Sequence, residues 1–268
     1  MTVAAGAGLI VLGVAVGAFG TLIGAGGGFL LVPLLLLLFH LPHSTAVGTS
    51  LALVFLNAAS GTVAYLGQRR VDLSLGWKFA VATIPGAILG AFVSRALSTS
   101  AFSLVFGIVL LAIAAVLASG RTMAPSRRAD LRQLVDLGGE THAYAVDVWK
   151  GVAVSFVVGL ISSLLGIGGG IVHVPFLIVV LSLPVHVATA TSHFVLSISS
   201  FVGATTFYAL GDVDVRITLL MGLGVLCGAQ VGARASLRAG ATTIRIVLAA
   251  ALALVGLRML LHAAHLVA

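Results

Sequence analysis

Two glycine-rich runs lie inside otherwise apolar segments, and their backbone could bind a small anion. Residues 24–28 read Gly-Ala-Gly-Gly-Gly and residues 166–170 read Gly-Ile-Gly-Gly-Gly. Because glycine within a helix costs about 1 kcal/mol relative to alanine, each run predicts a broken helix. The helix that begins after a break presents free N–H groups and the positive end of its dipole, so two such breaks could hold one anion between them. The predicted anion-binding backbone consists of Gly26, Gly27, Gly28, Gly168, Gly169 and Gly170.

The same glycines have two other interpretations. They could serve only to let helices pack closely, as small residues often do in membranes. The matched positions of the two runs, each with a proline five residues on (Pro33 and Pro175), favour a binding site. Nucleotide binding is excluded, because the dinucleotide fingerprint needs glycine where Phe29 and Ile171 stand and the lysine of a phosphate loop is missing.

Each glycine run is followed by a short apolar helix and then by a longer helix, and the longer helix carries polar side chains. Ser50 and Asn57 are seven residues apart and share a helix face, as do Ser192 and Ser199. Polar groups on one face of an apolar helix indicate a cavity that can hydrogen-bond the oxygens of an oxyanion. The alternative is that the hydroxyls bond to their own helix or to a neighbouring one. The predicted side-chain ligands are Thr49, Ser50, Asn57, Thr191, Ser192 and His193.

Two histidines stand in apolar segments of the second half of the chain. His173 and His193 replace Leu31 and Leu51 of the first half. Ionisable groups inside a membrane are functional candidates, including as proton relays. Both histidines are therefore candidates for proton coupling. The alternative is a neutral histidine that is satisfied by a backbone carbonyl.

Other residues that recur in both halves predict structural roles. Asp72 and Asp214 each follow a valine in a short loop, and this position favours helix N-caps or loop anchors over coupling-ion ligands. Two pairs of glycines spaced four residues apart favour close helix packing. These pairs are Gly86 with Gly90 and Gly228 with Gly232.

The elements that position these residues must be membrane helices, because the composition excludes a soluble protein. Of 268 residues, 60% are hydrophobic and 8% are charged, with a mean hydropathy of +1.23; soluble domains are about a quarter charged. The net charge of +7 does not indicate nucleic-acid binding, because Lys and Arg occupy short stretches between apolar runs. The single Cys227 excludes a disulfide framework and a cysteine metal site, and no metal or cofactor is predicted. The first segment lacks a positive n-region, which predicts a retained helix rather than a signal peptide.

The chain contains an internal duplication. Gly24 corresponds to Gly166, Pro33 to Pro175 and Asp72 to Asp214, all at an offset of 142 residues. Duplicated halves are typical of secondary transporters. The duplication predicts one transmembrane repeat over residues 1–119, a polar cytoplasmic linker over 120–147 and a second transmembrane repeat over 148–268.

The orientation of the repeats depends on the number of crossings. Each repeat has four apolar blocks, or five if the glycine break forms a hairpin, and five would make the repeats inverted. With five, 11 of the 14 Lys and Arg residues share one side, and with four, 10 do. Because Lys and Arg mark the cytoplasmic side, the count favours an all-α protein of two inverted repeats. Each repeat then has about five helical segments, the glycine breaks lie at the midplane and both termini lie outside.

The sequence resembles the sulfite exporter TauE/SafE family of membrane permeases, also called the toluenesulfonate uptake permease group. The likeness is carried by both glycine runs, by Pro33 and Pro175, and by the Thr-Ser pairs at 49–50 and 191–192. The resemblance implies a multi-pass protein of a bacterial or archaeal inner membrane that carries small sulfur-containing or organic anions, such as sulfite, sulfonates or sulfoacetate. It implies neither import nor export. The long polar linker departs from the family pattern.

These observations predict a secondary carrier with alternating access, whose partners are a small anion and the lipid bilayer. An anion channel is the alternative, because dipole-lined breaks also suit pores. An intramembrane enzyme is the contrasting class. Ser60-Gly61 with His193 resembles a serine–histidine protease, but the glycine expected before the serine is missing, so no enzymatic activity is predicted.

Overall fold

The computed structural model describes residues 3–119 and 129–267, so part of the predicted linker, with Arg121, Arg127 and Arg128, lies outside the described residues. The described chain folds into ten helices and one β-hairpin. In chain order the elements are α1 (Val3–Leu22), α2 (Gly28–Leu37), α3 (His43–Gly67), α4 (Leu73–Ala96), α5 (Thr99–Ser119), β1 (Asp130–Val135), β2 (Thr141–Val146), α6 (Val148–Leu165), α7 (Gly170–Val179), α8 (Val185–Ala209), α9 (Val215–Ala235) and α10 (Ala241–Val267).

Seven of the described helices are long and apolar enough to cross a membrane, which confirms the predicted all-α membrane class. The antiparallel hairpin β1–β2 within the polar linker was not predicted. Its strands alternate between exposed and covered side chains, and its turn contains Gly139 at a φ of +83°. Alternating side chains on both sides of a Gly-Gly turn indicate a hairpin. The prediction missed it because the linker was interpreted only from its charged residues.

The central helices are less apolar than the peripheral ones. The spans of α3 and α8 are each 67% buried, with hydropathies of 1.5 and 1.3, whereas those of α5 and α10 are 39% and 28% buried, with hydropathies of 2.8 and 2.2. Helices that face lipid must be apolar, while helices inside the bundle can carry polar groups that find partners there. The hydroxyls, the amide and one of the histidines predicted to form the site lie on α3 and α8, whereas His173 lies on α7.

Each glycine break returns the chain toward the side from which it came. At the end of α2, Leu38 and Phe39 line one groove together with Gly8 and Leu9 at the beginning of α1. In the second repeat, Leu181 after α7 approaches the beginning of α6 in the same way, at Gly151. Pairs α1–α2 and α6–α7 are therefore re-entrant hairpins, each with a short second arm of 10 residues.

The closest helix contacts join the two repeats. A Cβ at Gly228 would overlap the carbonyl oxygen of Val14, and a Cβ at Gly232 that of Ala18, so α9 packs backbone to backbone on α1. Gly86 and Gly90 of α4 meet α6 in the same way, at the carbonyl oxygens of Phe156 and Leu160. These contacts confirm the packing role predicted for the paired glycines.

Both cross-repeat pairs are parallel. Residue numbers increase together along the two helices, because Gly224, Gly228 and Gly232 of α9 contact Ile10, Val14 and Ala18 of α1 in that order. The α4–α6 contacts also rise together along the two helices. Parallel neighbours drawn from opposite repeats are what two inverted halves require, and they support that arrangement; the repeat orientation itself stays a prediction.

The two ends of the bundle are distinct. At the end that carries β1 and β2, called the hairpin end below, Leu137 donates its N–H to Gln68 O at 3.0 Å, and Gln68 Nε2 donates to Ala233 O at 3.0 Å. At the opposite end, Ser44 Oγ donates to Asp212 Oδ1 at 3.1 Å, and Arg95 pairs with the same carboxylate at 3.3 Å.

Candidate anion-binding site

The two glycine breaks lie against each other, backbone on backbone. A Cβ at Gly28 would lie 2.8 Å from Gly166 O, and a Cβ at Gly170 would lie 2.7 Å from Gly24 O. Left-handed backbone recurs at matching positions in both runs, which glycine adopts without steric cost. The φ angles are +75°, +73° and +81° at Gly24, Gly26 and Gly27, and +71°, +76° and +85° at Gly166, Gly168 and Gly169.

The breaks lie halfway along the central helices. The Cβ positions of Gly26 and Gly168 both meet Val54 of α3 and Leu196 of α8. Each of these contacts is near the middle of a helix of 25 residues. This depth supports the predicted location of the breaks near the bilayer midplane.

The short helices direct their N-termini into this junction. Leu30 and Leu31 N–H donate to Gly27 O, and Val172 and His173 N–H donate to Gly169 O. The N–H groups of the first helical residues before them lie too early in the helix to have an intrahelical acceptor. In the described chain no side chain caps either helix at Gly27 or Gly169. The backbone donors at the two breaks, with the positive ends of two helix dipoles, can therefore attract an anion.

A narrow void lies beside the second break. It has a volume of about 160 Å³ and is too tight in this conformation to admit a water molecule. In this conformation the void has no room for a ligand of the size of an oxyanion. The residues that line the void are Thr83, Val158, Gly168, Gly169, Gly170, His173, Ser192, Val195, Leu196 and Ser199.

Three side chains at this void carry polar atoms that the fold leaves unpaired. Within the described residues, Ser192 Oγ, Ser199 Oγ and His173 Nδ1 have no hydrogen-bond partner, although these residues are only 0%, 2% and 1% exposed. The other ring nitrogen of His173 lies 3.4 Å from Ser155 Oγ. A buried polar atom without a partner costs about 1–3 kcal/mol, so a cluster of them indicates a place where a ligand completes the hydrogen bonds.

The predicted side-chain ligands of the first repeat are already engaged. Ser50 Oγ donates to Gly166 O at 2.7 Å. Asn57 Nδ2 donates to Gly26 O at 2.9 Å, and Asn57 Oδ1 accepts a hydrogen bond from Thr21 Oγ1 at 2.7 Å. These residues reach the glycine breaks, as predicted, but their polar groups stabilise the broken backbone.

Thr49 and Thr191 lie away from the void, toward the ends of the bundle. Thr49 Oγ1 accepts the Asp214 N–H at 2.9 Å, and Thr191 Oγ1 accepts the Asp72 N–H at 3.0 Å. Their hydroxyls therefore anchor loops. Both aspartates are the N-caps that their positions favoured, of α4 through Leu75 N–H and of α9 through Ile217 N–H.

His193 lies beside the first break, outside the lining of the void. Its ring touches the Cβ position of Gly61 and stands edge-on to Tyr65, with ring centroids 5.4 Å apart. It approaches the backbone of Gly24, but neither ring nitrogen makes a well-formed hydrogen bond to a described residue. The structure thus brings His173 to the void and places His193 at the junction between the repeats.

The serine considered for catalysis, Ser60, is hydrogen-bonded to α9. Ser60 Oγ donates to Leu226 O at 2.9 Å and accepts a hydrogen bond from Gln230 Nε2 at 2.9 Å, so it joins α3 to α9. Gln230, which is half-buried, also donates to Ser60 O at 2.7 Å.

Sequence reasoning missed further hydroxyls around the second break. Ser162 and Ser163 are fully buried, and their Oγ atoms have no partner in the described part of the chain. Ser162 contacts the Cβ position of Gly169, while Thr83 lines the void from α4. A signal was available, because the repeat offset places glycine, threonine and valine at the three corresponding positions of the other half.

Comparison with known proteins identifies the family. A profile of the family described as "Sulfite exporter TauE/SafE" matches residues 9–259, nearly the whole chain. The chain belongs to the sulfite exporter TauE/SafE family. This is a family of membrane transporters, and the protein is accordingly a multi-pass member of it.

Two relatives align with this chain over almost the full length of both proteins. The chain is 32% identical over 262 residues to the probable membrane transporter protein YunE of Bacillus subtilis, covering 94% of this chain and 96% of the relative. It is 28% identical over 268 residues to a probable membrane transporter protein of Methanocaldococcus jannaschii, covering 94% of each. No solved structure matches the chain. TauE/SafE relatives in both bacteria and archaea thus bear the names of transporters.

Proposed function

We propose that this TauE/SafE protein is a secondary transporter of small sulfur-containing or organic anions of the sulfite, sulfonate or sulfoacetate type. One observation carries the proposal: two glycine breaks meet inside the bundle, with unpaired backbone N–H groups and unpaired hydroxyls beside them. Buried donors without acceptors cost free energy, so the junction favours a ligand that accepts hydrogen bonds. An oxyanion can accept hydrogen bonds at each of its oxygens.

The charge distribution favours an anion over a cation. None of the described side chains that line the void carries a carboxylate. The two aspartates that recur in both repeats, Asp72 and Asp214, cap helices at the ends of the bundle. A cation at the junction would face donors and positive helix ends, which repel it.

The narrowness of the void favours a carrier over a channel. A conducting channel needs a continuous water-filled path, whereas the void among the described residues has no space for a water molecule in this conformation. Opening it requires helices to move. Because α1 is tightly packed on α9 and α6 on α4, these cross-repeat pairs are the expected rigid bodies, which rock about the central helices α3 and α8.

Orientation and coupling extend the proposal. Basic residues concentrate at the hairpin end, where Arg69, Arg70, Lys78, Lys150 and Arg234 lie, so this end is expected to face the cytoplasm of a bacterial or archaeal inner membrane. His173, at the void, is the candidate for proton coupling, and His193 is the second candidate. Coupling would appear as anion flux that responds to an imposed pH gradient and loses that response in His173→Gln.

Thermal unfolding of the purified protein tests the site. Sulfite, thiosulfate or a short sulfonate is expected to raise Tm by about 5–10 °C at 100 times its Kd. Gly169→Leu should abolish the shift, because a side chain at φ +85° would enter the junction near Ser162 and Val158. Gly67→Leu is the matched control, since no atom lies within 4 Å of its Cβ position. An unshifted wild-type Tm with every anion, or an unaltered shift in Gly169→Leu, contradicts the site.

Flux measurements test the carrier mechanism. In proteoliposomes, uptake of labelled sulfite should saturate and should be accelerated by unlabelled anion on the opposite side. Conductance far above the turnover of a carrier would instead favour the channel alternative.

A further inference from the structure

We infer that the two glycine breaks have different roles, with the one anion of each chain bound at the second break and the first break serving as its fixed support. The inference rests on the proposed function and names the half of the junction that holds the anion. Its basis is a residue-by-residue difference between two halves that share one backbone.

The lining of the void can be compared across the repeats. Its ten residues correspond, at the same offset, to positions around the first break. In the order in which the void was described, the counterparts are Val225, Val16, Gly26, Gly27, Gly28, Leu31, Ser50, Leu53, Val54 and Asn57. The three glycines, one valine and one serine are the same in both halves, while the other five side chains differ in size or polarity.

The first half is filled by its own side chains. Leu31 and Leu53, both fully buried, stand where the second half has His173 and Val195. Asn57 is larger than Ser199 and closes over the break by binding Gly26 O. An anion there would have to displace satisfied hydrogen bonds and packed apolar groups, both of which cost free energy.

One pair of identical residues shows the difference most directly. Ser50 donates its hydroxyl across the repeats to Gly166 O at 2.7 Å. The equivalent bond would run from Ser192 to Gly24 O, but among the described atoms Ser192 Oγ has no partner. The hydroxyl of Ser50 is thus committed to the backbone, whereas that of Ser192 remains free to donate to a ligand.

The second half supplies a set of neutral donors. Ser192 and Ser199 lie seven residues apart on α8 and face the void together with His173 of α7. The N–H groups at the start of α7 approach from Gly169 and Gly170. Hydroxyl and amide donors without a fixed cation suit a small oxyanion that must be released again after each transport cycle.

A matched pair of variants tests the assignment. Isothermal titration of the purified full-length protein with sulfite should give one site per chain. Ser192→Ala should weaken binding about tenfold without lowering the Tm of the ligand-free protein, because this hydroxyl makes no bond in the fold and its burial without a partner is itself unfavourable. Ser50→Ala should lower that Tm while changing the affinity less than threefold.

A second variant closes the site without removing a glycine. Val195→Leu combined with Ser199→Asn gives the second half the side chains of the first, and it should abolish sulfite binding in a protein that remains monodisperse. Two sites per chain, equal affinity losses in Ser50→Ala and Ser192→Ala, or binding retained in the double variant would overturn the assignment while leaving anion transport intact. Absence of sulfite, thiosulfate and sulfonate binding to the wild type would overturn the proposed function, and this inference with it.

Discussion

Ser50 in the first repeat donates a hydrogen bond of 2.7 Å to the carbonyl oxygen of Gly166 in the second. Both residues are fully buried, and the bond satisfies a carbonyl that the broken helix α6 leaves without a helical partner. The two repeats are therefore joined at their least regular backbone by a side chain and not by apolar packing alone.

Removal of this hydroxyl should destabilise the protein. Ser50→Ala leaves Gly166 O unpaired at a cost of about 1–3 kcal/mol, which corresponds to a fall in Tm of roughly 3–8 °C. Ser74→Ala, at an exposed position of α4, is the control and should leave Tm unchanged. Equal Tm values for the two variants would contradict a stabilising role for the bond.

The junction should prefer singly charged anions. Each helix N-terminus acts as about half a positive charge, so the ends of α2 and α7 together balance about one negative charge. Methanesulfonate or bisulfite should therefore bind more tightly than sulfate at equal ionic strength, by about tenfold or more. Calorimetric titration at pH 6 checks the order, and tighter binding of sulfate would contradict it.

The aspartate N-caps should differ in their effect on stability. Asp72 caps α4 and also binds Arg132 at 3.0 Å and Tyr144 OH at 2.9 Å, while its counterpart Asp214 caps α9. Asp72→Asn should therefore lower Tm by several degrees more than Asp214→Asn, because it also loosens the hairpin. Proteolysis within β1 and β2 provides a second measure, and equal proteolysis of both variants would be evidence against the contact.

Docking of the hairpin should be insensitive to pH until strongly acidic conditions. Burial alone would raise the pKa of Asp136, but the hydrogen bond and charge of Arg70, with the N–H groups of Glu140 and Gly138, outweigh it and hold the pKa below its ordinary value of 3.8. Because the pKa of Asp136 is lowered in the docked state, the ionised carboxylate stabilises docking fully at pH values above 3.8. This stabilisation is lost as the pH falls through the lowered pKa. The protection factors of the β1 and β2 amides, which correct the exchange rates for the intrinsic pH dependence of amide exchange, should thus stay constant from pH 8 to about pH 5 and fall below about pH 4.

Asp136→Asn should produce fast exchange at neutral pH, whereas Glu140→Gln, at an exposed side chain, should not. Protection factors that fall already near pH 6 would point to a histidine instead of Asp136.

The helix pair α4–α6 should tolerate no added side chain at its contact. Gly90→Ala places a Cβ on the carbonyl oxygen of Leu160, where backbone cannot yield, and should cost several kcal/mol and most of the folded yield. Gly67→Ala, with open space around it, is the control and should be neutral or slightly stabilising. Size-exclusion profiles and Tm values of both variants in detergent give the comparison; a monodisperse Gly90→Ala with wild-type Tm would contradict the packing.

Residues that repeat with their local context were the predictable part of the fold. The glycine breaks, the Asp72 and Asp214 caps and the paired glycines each follow from a local backbone requirement, and the duplication doubled the evidence for each. The partners of the hydroxyls were not predictable in this way. Thr49 and Thr191 bind loop amides 165 and 119 residues away, and no local pattern distinguishes such a loop anchor from a ligand.

The comparison of Ser50 with Ser192 shows most clearly what the sequence could not predict. Both serines follow a threonine and occupy equivalent positions in α3 and α8, yet one is bonded across the repeats and the other is free. What separates them is the set of neighbours on other helices, such as Leu31 against His173. Only the assembled bundle brings those neighbours together.

The interleaved packing of the repeats has a consequence for synthesis. Gly228, the close-packed partner of Val14, is 214 residues later in the chain, so α1 emerges from the ribosome long before α9 exists. The face of α1 that packs on α9 must therefore stay in lipid or in the insertion machinery until translation is nearly complete. The gene was duplicated, but its product reaches its native fold only when the last helices enter the membrane.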